Sequence, residues 1–118
     1  SVAVYNHFKR LRAEAEPIDV GPEGFTDVIT SSPVPVLVDF WAAWCGPCRM
    51  AAPAVRALAS EMAGRALVLK VDTEAHPSLA DRYRVQAIPN FAIFRDGALV
   101  RQQPGLAPLD VMRSWLAG

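Results

Sequence analysis

Val34-Pro-Val-Leu-Val-Asp-Phe40-Trp-Ala-Ala-Trp-Cys45-Gly-Pro-Cys48 is the stretch that decides the fold of this 118-residue chain. Its first part, Val34 to Phe40, is β-branched and apolar, the composition of a strand covered on both faces, and reads as the central strand. Its end opens a helix. Pro47 falls in the first helical turn, where a missing N–H costs nothing. Ala51, Val55, Leu58 and Met62 then recur at offsets of four, three and four, which makes one apolar face, and Gly64 ends the helix. Pro53 lies inside it and is expected to kink it, because it removes one backbone bond and crowds the preceding turn.

Both cysteines of the chain sit at this strand-to-helix junction. A cysteine at the helix cap and another one turn on point to the same side, so their sulfurs can meet without backbone movement. Free N–H groups and the positive end of the helix dipole lower the pKa of the first thiol from the ~8.5 of a free cysteine. Cys45 therefore reads as a nucleophile. Cys48, deeper in the turn and expected to be less exposed, reads as the thiol that resolves a mixed disulfide. Gly46 and Pro47 set the turn between them.

Three other readings of the pair are weaker. As a structural staple, the bridge closes a ring of four residues, worth roughly 2 kcal/mol in the loop-entropy model against about 3 for a 15-residue loop. A zinc site needs two more ligands, and the chain offers only His7 and His76. Inert buried thiols need neither the Gly-Pro insert nor the flanking tryptophans.

Outward from the junction, the chain divides into an arm, residues 1–16, and a domain, residues 17–118. The arm, with its charged Phe8-Lys-Arg-Leu-Arg-Ala-Glu-Ala-Glu, is expected to be a short helix or a mobile extension. Its start lacks an initiator Met and a signal-peptide pattern, as in a processed or trimmed chain. In the domain, Ile18-Asp-Val reads as a brief strand and Pro22 to Ser31 as a helix spaced by Phe25, Val28 and Ile29. Ala66 to Val71 repeats the buried-strand pattern, and Pro77 to Tyr83 reads as a helix introduced by His76 or Asp72. Phe91 to Arg95 and Ala98 to Gln102 form a hairpin around Asp96-Gly97, a pair that supplies positive φ. Pro108 to Leu116 closes the chain as a helix with Leu109, Met112, Trp115 and Leu116 inward. The order βαβαβαββα predicts an α/β fold: a central mixed sheet of four to five strands with helices on both faces.

Composition excludes several functions. Twelve basic residues balance twelve acidic ones, so no global field favours nucleic acid or an anionic membrane surface. The longest apolar run, Val34 to Cys45, is broken by Pro35 and Asp39 and falls short of the ~18 residues of a membrane span.

Trp41-Ala-Ala-Trp-Cys-Gly-Pro-Cys-Arg49, preceded by Val38-Asp39-Phe40 and followed about forty residues later by Ile88-Pro89 and then Gly105, resembles the thioredoxins from about Pro17 to the C-terminus. Among them the wording is similar to the second bacterial type, without the N-terminal zinc module of its longer members. The resemblance implies the thioredoxin fold and protein-disulfide reduction through a reversible Cys45/Cys48 cycle. It implies no bound cofactor and no metal. The implied partners are a flavin-dependent thioredoxin reductase and disulfide-containing proteins, for a monomer in the cytoplasm. It makes Asp39 the buried acid that accepts and returns the proton of the second cysteine, with Lys70 its neighbour. Desolvation of an acid in a buried strand raises its pKa toward the range of a proton shuttle; a carboxylate hydrogen-bonded for structure alone is the other reading. Lys70 also reads as a lysine snorkelling from a strand end.

Pro89 resembles the family's cis-proline, leaving the backbone of Ile88 free to pair with an extended substrate. Trp44, Gly46, Pro47, Ile88, Pro104 and Gly105 then surround the cysteines as a shallow apolar groove, and Trp41 packs under the active-site loop. Four positions depart from the family pattern: Ala43 for proline, Asn90 for threonine, Arg84 for glycine and Pro104 for a small aliphatic residue. A disulfide oxidase or isomerase, and a non-enzymatic binding subunit using the groove, remain the alternatives; the Gly-Pro insert favours the reductant, since oxidising relatives usually carry other pairs there.

Overall fold

A computed structural model describes residues 15–117, so the expectation for the arm falls almost wholly outside the described residues. Along the chain come β1 (Ile18–Asp19), α1 (Pro22–Ser31), β2 (Val36–Trp41), α2 (Gly46–Glu61), β3 (Leu67–Asp72), α3 (Pro77–Arg82), β4 (Asn90–Arg95), β5 (Ala98–Pro104) and α4 (Leu109–Ala117). The five strands form one mixed sheet in the order β1-β3-β2-β4-β5, with β1 and β2 parallel to β3 and β4 antiparallel to both β2 and β5. The stretch expected to be central is central: β2 has β3 on one side and β4 on the other.

Strand alternation sorts the sheet into two cores. Val36, Val38 and Phe40 of β2 face Phe25, Val28 and Ile29 of α1 and Leu79 of α3. Leu37, one residue out of phase, faces Val55 and Leu58 of α2 and Met112 and Leu116 of α4. Leu109 and Trp115 are partly buried against that second core. The same alternation turns Asp39 toward the α2 side. Six residues of β2 pair with six of β3, which sets Asp39 opposite Lys70. One helix continues through Pro53 to Glu61, and Gly64 follows in the turn with φ +83°.

The hairpin forms as its turn chemistry predicts, with Asp96 at φ +52° and Gly97 at φ +81°, both in the left-handed region that a two-residue loop requires. Ile93 pairs with Arg101 but Phe94 pairs with Leu99, so Val100 is an extra residue in β5. That bulge, Arg101 and the terminal Pro104 blunt the exposed outer edge against pairing with another sheet.

Arg84 is the other non-glycine residue among the described residues, besides Asp96, in the left-handed region, at φ +54°. That conformation costs an L-residue about 1–2 kcal/mol and glycine nothing, while glycine's extra freedom in the unfolded chain takes back roughly 0.5–1. Arg84→Gly is therefore expected to stabilise the domain by about 0.5–1 kcal/mol, seen as a higher urea midpoint at unchanged m-value. An equal or lower midpoint would mean that the arginine side chain contributes contacts worth more than the backbone strain.

Candidate active site

The site lies at the end of the sheet where β2 finishes and β4 begins, since Phe40 pairs with Asn90 and Asn90 pairs with Pro104. Cys45 is the N-cap of α2 and holds an extended backbone. The Cys48 N–H donates to its Sγ at 3.1 Å, and its own carbonyl accepts from Arg49 N at 3.1 Å. A sulfur in that position faces the unpaired donors and positive pole of a 16-residue helix. The two cysteines are joined as a disulfide with Cα atoms 5.2 Å apart. They pack with Ala42, Trp41 and Ile88 in a small third cluster, so Trp41 does lie under the active-site loop. Arg49 Nη1 donates to the Ala43 carbonyl at 2.8 Å, which ties the loop at the position where the family usually carries proline.

One expectation fails. Cys48 is not the less exposed cysteine: Cys45 is 2% exposed and Cys48 5%. In the oxidised pair the cap position tucks Cys45 against Ala42 and Ile88, with its Sγ 3.6 Å from the Ile88 carbonyl oxygen. What separates the two sulfurs is their company. Cys45 meets the Ile88 backbone, while Cys48 lines a cavity of ≈ 220 Å³ together with Asp39, Trp41, Lys70 and Arg56.

Asp39 is 4% exposed, and its Oδ1 has no hydrogen-bond partner among the described residues. Burial pushes its carboxyl up from the ordinary 3.8 to about 7, and the Lys70 ammonium offsets part of that rise. A carboxylate held for structure alone would be expected to have its oxygens paired, and Oδ1 is not paired among the described residues. Lys70 sits within β3 and not at its end, and its Nζ stands 4.2 Å from the centroid of the Trp41 ring. Glu16, grouped with the arm on sequence, also lines this cavity.

The expected groove residues gather round the pair in part. The Ile88–Pro89 peptide bond is cis, and the Pro89 carbonyl accepts from Gly105 N at 2.8 Å, with Gly105 at φ +87°. A Cβ at Gly46 would meet no atom within 4 Å, so the space beside it is open. Pro47 and Pro104 are exposed, and Ile88 is half-buried. Trp44 is 66% exposed, and its indole N–H donates to Glu74 Oε1 at 2.6 Å.

Glu74, Met50 and Leu106 were missed on sequence. Met50 is 71% exposed two residues after Cys48, and exposed Leu106 follows Gly105. The one signal for Met50 was its helix phase, since it is apolar and lies off the α2 core stripe. Glu74 is thirty residues from Trp44 and carried no local signal.

The profile of one protein family, Thioredoxin, matches residues 16–118. The chain belongs to the thioredoxin family. It is 47% identical over 87 residues to "Thioredoxin 1" of Chlorobaculum tepidum, covering 74% of this chain and 86% of that protein. It is 42% identical over 86 residues to "Thioredoxin Y2, chloroplastic" of Arabidopsis thaliana, covering 73% of this chain and 52% of that protein. Among solved structures, a mutant thioredoxin from Halobacterium salinarum NRC-1 superposes with a TM-score of 0.80 at 36% identity, over 86% of this chain and 88% of that one. As a thioredoxin with its cysteine pair at disulfide distance, the protein is a thiol–disulfide oxidoreductase and a protein-disulfide reductase. No helix among the described residues is long and apolar enough to cross a membrane.

Proposed function

We propose that Cys45 attacks the substrate disulfide, Cys48 resolves the mixed disulfide, and Asp39 takes the proton from Cys48 and returns it. The observation that carries this reading is the unequal surroundings of the two sulfurs. Cys45 is the helix cap beside the Ile88 backbone, and Cys48 shares a cavity with a buried acid whose pKa is about 7. Lys70, opposite Asp39 in the sheet, offsets part of the rise that burial causes and so keeps the acid near neutral pH. Trp44, Gly46, Pro47, Ile88, Pro89, Pro104 and Gly105 form the groove that receives an extended substrate strand, with Met50 and Leu106 adding apolar surface. The domain proper is residues 17–118.

The partners we propose are disulfide-bearing proteins and a flavin reductase that returns two electrons from NADPH. The chain acts as a monomer, which the blunted β5 edge supports. Its compartment is the cytoplasm, where a reductant of this kind is kept charged.

The redox equilibrium of the Cys45/Cys48 pair tests the direction of the activity. The disulfide is expected to survive an excess of reduced glutathione and to open with dithiothreitol, both followed by trapping free thiols with a maleimide. Ready reduction by glutathione would reveal an oxidising pair and move the assignment to an oxidase or isomerase.

A further inference from the structure

Gln102 carries the strongest signal outside the cysteine pair and its acid. Its side chain lies half-buried on β5, and its Nε2 donates twice: to the Tyr83 carbonyl at 2.9 Å and to Asn90 Oδ1 at 3.0 Å. Those two acceptors bracket one segment. Tyr83 precedes Arg84, whose left-handed backbone starts the loop, and Asn90 follows Pro89, whose cis bond ends it. Between them lies Ile88, whose carbonyl oxygen is 3.6 Å from Cys45 Sγ.

The orientation of this pair of amides follows from chemistry. A backbone carbonyl can only accept, so Gln102 must turn its nitrogen toward Tyr83, and Asn90 must then present its oxygen to the second N–H. Asn90 is buried, so its side chain needs a partner there. Its register explains why Gln102 supplies one: Ala92 pairs with Gln102 and Asn90 with Pro104, two residues along on the same face of the sheet. On that face β4 sends Ala92 and Phe94 into the core shared with Tyr83.

We infer that Gln102 is a positioning residue for substrate binding: its amide clamps both ends of the Arg84–Pro89 segment and so sets where the Ile88 backbone stands relative to Cys45. The clamp reaches the site from the outermost strand. It touches neither sulfur nor the acid, so its effect falls chiefly on the docking of an extended chain. This inference rests on the proposed role of the Ile88–Pro89 backbone as the substrate edge.

The test compares a protein disulfide, insulin, with a small one, dithiobis(nitrobenzoate), which reaches Cys45 without pairing along a strand. Gln102→Leu keeps the bulk and removes both donors, and is expected to raise KM for insulin five- to tenfold while kcat and the turnover of the small disulfide stay within twofold. Asn90→Ser, which breaks only one half of the clamp, is expected to show a smaller rise in the same parameter. Gln102→Lys, which keeps a donor at that reach, is expected to recover most of the loss. Equal losses on both substrates, or no change on either, would overturn the inference. Pro89→Ala separates this from the underlying reading. If it raises KM for insulin and Gln102→Leu does not, the clamp alone is wrong; if Pro89→Ala leaves KM unchanged, the docking edge itself is wrong.

Discussion

Cys48→Ser is expected to accumulate covalent complexes with disulfide substrates, while Cys45→Ser accumulates none. In the proposed cycle, attack by the Cys45 thiolate breaks the substrate S–S bond, forms a Cys45–substrate bond and expels one substrate sulfur as a thiolate. The Cys48 thiolate then displaces the second substrate sulfur from Cys45, forming the intramolecular disulfide, so two electrons pass to the substrate. Serine at position 48 stops the cycle after the first bond is made, and serine at position 45 stops it before. Turnover falls by more than ~10³-fold in either variant, because a hydroxyl cannot replace a thiolate in the exchange, but only one variant leaves an adduct. A non-reducing gel of each variant after incubation with insulin reads the difference. Equal trapping by both would reject the division of labour, which rests on Cys45 capping α2 beside Ile88 and on Cys48 facing the cavity of Asp39.

The second large effect concerns Asp39, and it links stability to catalysis. Its folded pKa of about 7 stands above its ordinary 3.8, so the native state holds a proton that the unfolded chain has released. Its stabilising protonation is complete below pH 3.8 and is lost as pH rises, at about 1.4 kcal/mol per unit, until pH 7. Above that the buried charge costs the fold on the order of 4 kcal/mol relative to acid conditions. Asp39→Asn mimics the protonated acid at every pH. In urea titrations of the oxidised protein it is expected to match the wild type near pH 4 and to exceed it by several kcal/mol at pH 8.5. The gain in stability comes with a loss of rate. Without a base to take the Cys48 proton, insulin reduction near neutral pH is expected to slow roughly tenfold or more, less than the ~10²–10⁴-fold typical of general acid–base catalysis because water can substitute in part. If the rate of Asp39→Asn equals that of the wild type from pH 6 to 9, Asp39 is not the relay. If the stability difference is also absent, its burial does not raise its pKa.

Much of the fold was legible because local chemistry and tertiary structure agree. Pro22 to Ser31 and Gly46 to Glu61 carry helix-initiating prolines and helical apolar spacing, and both form as helices. The strands of β2 and β3 read as continuous apolar runs because both faces of each meet helices. Asp96-Gly97 forms its turn because the backbone angles needed there suit those two residues. The order of exposure of the two cysteines was not legible. Helix position suggested that the first thiol would be the more open, but packing of Ala42 and Ile88 over Cys45 reversed it. The partner of Trp44 was equally hidden, since Glu74 reaches it from a loop thirty residues on.

By itself, the sequence determined which atoms can react and on what kind of scaffold. Two thiols one helical turn apart, a proline that starts the helix and an acid in an apolar strand are local facts, carried by spacing and side-chain chemistry. Tertiary structure alone decided how those atoms differ. Strand alternation turned Asp39 into the cavity behind Cys48, and burial there raised its pKa. The pairing of β4 with β2 and β5 brought Ile88 to Cys45 and Gln102 to the loop that carries Ile88. Desolvation and the meeting of groups far apart in sequence arise only when the chain closes on itself, which is why spacing along the chain could name the cysteines but not set their environments.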